Sequence, residues 1–214
     1  MRVTGSLPMH DWRLAVSTAQ RLEVAGYDGI MSQDGAHEPF GPLIAAALVT
    51  EQVALQTGIV VAFPRSPMVT AMHAWDLHSN SGGRFQLGLG SQVRGHNERR
   101  FSVSWSAPAP RMREYIEALR AIWRSWEQRE KLRFEDKHYH FDLLSPNFAP
   151  RPTGLPPVPI TLAAVGPGML RLAGRVADGV RLHGFGTRCC SLLQGSTVLD
   201  EAGPVSWSAV EESS

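Results

Sequence analysis

Asp34 and His37 stand three positions apart in a glycine-containing stretch that follows an apolar run. An imidazole titrates near neutrality and can give or take a proton during a reaction, so His37 is the sharper general acid or base and Asp34 its companion carboxylate. Gly166, Pro167 and Gly168 lie where an apolar run gives way to helical spacing. Glycines there permit close approach, and a helix start offers unpaired N–H groups to an anion such as a phosphate. Gln92, behind Gly90 and Ser91, can hydrogen-bond but supplies no proton at neutral pH. Arg94 and His96 read as solvated loop charge with some capacity to hold an anion. His138 and His140 form an HxH pair, but two ligands are too few for zinc and no carboxylate–histidine set completes them, so no metal site is expected. Cys189 and Cys190 are adjacent, which suits neither a disulfide framework nor spaced zinc ligands.

These groups belong to a chain of 214 residues, 43% hydrophobic and 19% charged, enough for one globular domain with a substantial core. With 21 Lys+Arg against 20 Asp+Glu the net charge is +1, too small a field to recruit nucleic acid or anionic membrane. Apolar runs such as 42–48 fall well short of the ~20 residues that a membrane span needs, and the N-terminus lacks a signal pattern. A cytoplasmic protein acting on a small organic molecule is expected.

Strands and helices alternate along the chain. Trp12, Ala15, Val16, Ala19 and Leu22 recur at helical spacing between an N-cap at Asp11 and a stop at Gly26. A strand is expected at 27–31 and a helix behind Pro42 through Leu43, Ile44, Ala47, Leu48 and Glu51. Residues 56–63 read as a strand, 68–79 as a helix, and 84–89 as the next strand, close to the ~30-residue period of a βαβ unit. From Met112 the positions Tyr115, Ile116, Leu119, Ile122, Trp123 and Trp126 give the cleanest helical stripe, which makes the tryptophans packing residues. The polar, proline-rich stretch 131–158 interrupts the pattern as an excursion or lid. A strand at 159–164, a helix at 167–176 and a short strand at 179–183 restore it. Such alternation implies an α/β fold with a parallel sheet, either doubly wound or closed as a barrel. Gly88 and Gly90 lack the third glycine of a GxGxxG turn, which weakens the doubly wound reading.

Three ordered segments decide further: RLEVAGYDGIMSQDGAHEPFGPL at 21–43, TGIVVAFPRSPMVTAMHAWDLHSNSGGRFQLGLGSQ at 57–92, and AAVGPGMLRLAGRVADGVRLH at 163–183. Together they resemble the luciferase-like monooxygenase superfamily, particularly its branch that uses the deazaflavin coenzyme F-420. The resemblance covers most of residues 1–185 and implies a TIM-type (β/α) barrel with its chemistry at the carboxyl ends of the strands.

The resemblance also implies roles. The Gly166–Pro167–Gly168 loop would hold the phosphate-bearing tail of F-420, or of FMN in the alternative. Ala62 and Phe63 would form the bulge backing one face of the ring, with a non-prolyl cis peptide near Ala62, while the Phe63–Pro64 bond leaves its isomer open. Gly90, Ser91 and Gln92 would contact ring or substrate, although Gln92 stands where several deazaflavin members have a carboxylate. His37 and Asp34 would lie at the mouth beside the reacting ring carbon. Dimerisation is the family habit, and no isolated interface motif marks it in this chain.

After about residue 185 the resemblance stops, and 186–214 reads as a divergent tail. About six of eight strand–helix units are expected, as in a truncated or diverged member. The activities implied are hydride transfer between F-420 and an organic substrate, reduced-FMN-dependent monooxygenation on the same fold, or cofactor binding without turnover in an inactive remnant.

Overall fold

The computed structural model describes residues 2–182; Cys189, Cys190 and the expected tail at 186–214 lie outside them. Local signals start the first unit. After β1 (Thr4–Ser6), the Asp11 carboxylate accepts from the Arg13 N–H at 2.8 Å and opens α1 (Trp12–Val24), and Gly26 ends the turn at a φ of 80°. β2 (Gly29–Ser32) follows, then α2 (Phe40–Ala47), which is shorter than the expected helix and excludes Leu48 and Glu51. It stops there because the Arg84 guanidinium takes its end: Nη2 donates to Ala47 O at 3.4 Å and to Thr50 O at 2.8 Å.

The expected strand at 56–63 is two strands, β3 (Ala54–Thr57) and β4 (Val60–Val61), separated by a cis peptide between Gly58 and Ile59. Ser66 caps α3 (Pro67–Asn80) by accepting from Met68 N–H at 3.2 Å. β5 (Phe85–Gly90) leads into α4 (Arg94–Arg99), a one-to-two-turn helix absent from the sequence reading. α5 (Pro108–Gln128) buries the anticipated stripe of Met112, Tyr115, Ile116, Leu119, Ile122, Trp123 and Trp126, and ends at Arg129 in the left-handed region. The excursion carries a small antiparallel hairpin, β6 (Phe134–Glu135) with β7 (His140–Phe141), and a 3-10 turn at Pro146–Phe148. β8 (Ile160–Ala163), α6 (Pro167–Val176) and β9 (Gly179–Arg181) complete the described chain.

The strands lie parallel in the order β1-β2-β3-β5-β8-β9, with β4 continuing β3 beside β5. Among the described residues, six neighbouring strands with helices on one face form part of a β/α barrel, which closes with eight. Alternation along each strand sorts side chains onto two faces. Ile30, Leu55, Leu87, Ile160 and Leu162 are buried under the helices. The other face, the barrel lumen, carries Thr4, Ala54, Gln56, Gln86, Thr161 and Arg181 around a hollow of about 390 Å³. That lining is largely polar, unlike the bulky aliphatic layers that commonly fill β/α barrels.

Two contacts tie β3 to β5. The Thr57 hydroxyl donates to Gly88 O at 3.0 Å and accepts from Gly88 N–H at 2.7 Å. A Cβ on Gly88 would sit 1.9 Å from Thr57 O.

Candidate functional site

The carboxyl ends of β2, β4, β5 and β8 converge on one mouth. Its floor begins where β3 breaks. Gly58 N–H donates to Ser32 O at 2.7 Å, and Asp34 N–H donates to Ile59 O at 2.9 Å, so the chain is pinned to β2 on either side of the cis bond. Gly58 is closely approached there: a Cβ would lie 2.9 Å from Met31 Sδ and 3.2 Å from Arg181 Nη1, so those side-chain ends would have to give way. The cis peptide expected near Ala62 is four residues earlier, between Gly58 and Ile59. Phe63–Pro64 is trans, and Ala62 and Phe63 are buried behind the break, whereas Gly58 and Ile59 are only partly covered. An isolated glycine inside a strand pattern is a bulge signal, and Gly58 carried it.

From Ile59 the floor runs across the mouth. A Cβ on Gly90 would come within 2.7 Å of Ile59 Cδ1 and 3.6 Å of Ala163 Cβ, so these three residues adjoin in one apolar strip. Three residues beyond Ala163, Gly166 is the N-cap of α6, and no side chain caps that helix. Cβ atoms built on Gly166 or Gly168 meet nothing within 4 Å, and neither glycine has a positive φ. The packing and backbone of the described residues thus make no demand for glycine at either position. Among the described residues no side chain meets the first N–H groups of this helix.

The remaining candidates take different positions. Asp34 is withdrawn: its side chain is 5% exposed, and Oδ2 accepts from Arg65 Nη1 at 2.5 Å and Val61 N–H at 3.1 Å. His37 is exposed on the loop after β2, and its imidazole makes no hydrogen bond with another described residue. That loop is held from across the mouth by Arg100, which donates to Gly35 O. Gln92 adopts a φ of 57°, and its side-chain oxygen accepts from Val93 N–H at 2.9 Å. Ser91 O accepts from the buried Asn97 amide at 2.9 Å, which anchors α4 under the loop. Arg94 pairs with Glu98 in solvent, and His96 is exposed. His138 lies beside Tyr139, with its backbone N–H on Glu114; among the described residues no three His, Cys, Asp or Glu side chains converge as metal ligands.

Sequence reasoning did not single out Arg65, Arg111 or Tyr139. The Arg111 guanidinium lies 4.4 Å from the Phe63 ring centroid and 5.9 Å from that of Tyr139, and its Nε donates to Tyr139 OH at 3.1 Å. This joins the start of α5, the excursion and the end of β4. Burial pushes the Tyr139 phenol up from its ordinary pKa, against the Arg111 contact, which lowers it. No local pattern marks such a cluster, because its members are 48 and 28 residues apart as residues 63, 111 and 139 and meet only in the fold. In the lumen below the floor, Arg181 Nη2 donates to Gln56 Oε1 at 2.9 Å, and burial lowers the Arg181 pKa.

The arrangement offers an apolar strip for a flat ring, an anion-binding helix start at one end, and an imidazole on the rim. These features fit a phosphate-bearing flavin or deazaflavin. Comparison with known proteins agrees with this fit. The family described as luciferase-like monooxygenase matches residues 1–188. The uncharacterized protein Rv1360 of Mycobacterium tuberculosis is 45% identical over 179 residues, covering 84% of this chain and 52% of that protein. Among solved structures, the coenzyme F-420-dependent tetrahydromethanopterin reductase of Methanopyrus kandleri superposes with a TM-score of 0.68 at 21% identity, over 85% of this chain and 55% of that one. The oxygenating constituent of 3,6-diketocamphane monooxygenase from Pseudomonas putida, in complex with FMN, gives 0.63 at 17% identity, over 81% and 55%. The chain spans about half the length of these curated relatives.

Proposed function

Because the chain belongs to the luciferase-like monooxygenase family, we propose that it is an oxidoreductase that binds coenzyme F-420 at this mouth and serves hydride transfer between that coenzyme and a small organic substrate. The observation that carries the reading is the start of α6, without a side-chain cap and holding two glycines whose missing side chains leave space that no atom of the described residues uses. In this reading Gly166, Pro167 and Gly168 hold the phosphate-bearing tail. Ile59, Gly90 and Ala163 seat the ring, with Ala62 and Phe63 as the buried support behind them. Ser91 and Gln92 line the rim as hydrogen-bonding groups. His37 moves a proton at the exposed edge of the site, which its position and its neutral-range imidazole allow. The excursion at 131–158, tied to the mouth through Tyr139 and Arg111, covers it. F-420, when bound, supplies the hydride chemistry, and the protein supplies placement and exclusion of water.

A second reading, FMN-dependent monooxygenation at the same seat, is favoured by the similarity to the FMN complex noted above. Binding of either cofactor without turnover is the third. A homodimer in the cytoplasm is the assembly proposed, following family habit; no helix among the described residues is long and apolar enough to cross a membrane.

Titration of the folded protein with oxidised F-420 and separately with FMN, followed by fluorescence or visible absorbance, tests the reading. Saturable F-420 binding that weakens in Gly168→Val supports it. Preference for FMN with oxygen consumption shifts the assignment to the monooxygenase, and binding of neither by a folded sample refutes a cofactor role for this chain.

A further inference from the structure

Where β2 ends, β4 loses a neighbour. The β2–β3 register closes at Ser32 and Thr57, while Val60 and Val61 pair only with β5 on their other side, through Leu89 and Gly90. Val61 directs its N–H and its C=O away from β5, to a place where a continuing strand would answer both. Two side chains answer instead. Asp34 Oδ2 accepts from Val61 N–H at 3.1 Å, and Arg65 Nη1 donates to Val61 O at 3.0 Å. The two groups close on each other at 2.5 Å, with side chains 5% and 20% exposed. Asp34 adds its own N–H to Ile59 O, and Arg65 N–H returns to Ala62 O at 3.0 Å. The ion pair therefore supplies both hydrogen bonds that a neighbouring strand would make to Val61, and it does so on the segment that carries Ile59.

We propose that Asp34 and Arg65 are positioning residues: a side-chain surrogate for a strand, which fixes the height and tilt of the 59–61 backbone and thereby the seat of the flat cofactor ring. This rests on the ring seat assigned above. It gives Asp34 a different task from the companion acid to His37 that the sequence suggested, because a carboxylate serving Val61 and Arg65 together has its work in the bulge. Arg65, which no sequence pattern singled out, becomes an equal partner. A guanidinium is suited to it, since Nη1 alone carries two in-plane N–H groups, one for the carboxylate and one for the carbonyl.

The test combines amide hydrogen exchange in the cofactor-free protein with cofactor titration, on Asp34→Asn, Arg65→Met, Arg65→Lys and the double variant Asp34→Asn/Arg65→Met. Exchange at Val61 is expected to quicken on the order of tenfold or more in Asp34→Asn and Arg65→Met, while Leu87 and Leu89 keep wild-type protection and certify the fold. Arg65→Lys recovers part of the protection, because it keeps the charge and N–H donors on one nitrogen but not the planar geometry that aims them. Affinity for F-420 or FMN falls on the order of tenfold in each single variant and no further in the double, the signature of two groups acting as a unit. Unchanged Val61 exchange in Arg65→Met overturns the proposal, as does Asp34→Asn that binds cofactor normally and loses turnover, which would put Asp34 in the chemistry. Wild-type protein that binds neither cofactor refutes the ring seat itself, and the exchange arm still reports separately on whether the pair holds the strand.

Discussion

At Gly168 an added methyl group meets nothing and the backbone is already helical. Gly168→Ala is therefore expected to raise stability by about 0.4–1 kcal/mol through the unfolded chain, while weakening F-420 or FMN binding. A thermal melt paired with a cofactor titration checks both halves; a drop in melting temperature would show that the turn itself needs glycine. Tyr115 offers a second test at this scale. Its hydroxyl shares a 2.6 Å hydrogen bond with Thr70 in the core, and burial raises its pKa well above the ordinary value of 10.0. The folded chain keeps that proton at a pH where unfolded tyrosine has lost it, so the unfolded state binds fewer protons and stability falls as pH rises beyond about 10. Tyr115→Phe should cost about 1–3 kcal/mol at neutral pH, by leaving Thr70 unpaired, and should flatten the alkaline decline. Urea midpoints between neutral and alkaline pH would register the two effects. The glycine loop was legible because its chemistry is local. The Asp34–Arg65 pair was not, because a carboxylate near a histidine looks the same in sequence whether it faces solvent or a buried guanidinium.

Among the elements, Arg84 is a joint. It donates through Nε to Ser81 O at 2.9 Å and through its other nitrogens to Thr50, Val53 and Ala47, so one side chain fastens the ends of α2 and α3 to the start of β3. Lysine cannot fork across those carbonyls, and Arg84→Lys is expected to cost about 2–3 kcal/mol, with a lower urea midpoint and an unchanged slope. If lysine is tolerated fully, the joint is dispensable. Elements with strong local punctuation were readable: Asp11 and Gly26 bracket α1, Ser66 and Pro67 open α3, and the stripe of α5 needs no context. β1 and α4 were not, since three and six residues are too few for a period to emerge. At the break between β3 and β4 the hydrogen bonds Gly58 N–H to Ser32 O and Asp34 N–H to Ile59 O join residues distant in sequence, a pairing that only the assembled sheet contains.

For the molecule as a whole, alternation of strand and helix disclosed the parallel sheet, but whether it opens or curls was carried by the family resemblance and not by period. The face that became the lumen is a case in point: Gln56, Gln86, Thr161 and Arg181 look like ordinary half-buried strand residues until the sheet curves around them. Among the described residues β1 and β9 each pair on one side only, whereas β3 and β5 are bonded on both. Amide exchange should therefore be fastest in β1 and β9 and slowest in β3 and β5, a gradient from edges to centre that native-state exchange would resolve. Uniform protection across all the strands would mean that the outer two are covered in solution.

Gly88 gives this architecture a historical constraint. The atom that a Cβ would strike at 1.9 Å is a backbone carbonyl, Thr57 O, which no choice of rotamer can move aside. At the glycines of the α6 start an added Cβ meets no described atom, so those positions can change by small steps. Position 88 admits no such step. Descendants of this chain that change their cofactor or substrate are expected to do so around a fixed crossing of β3 and β5, so the site can diversify only outward from it.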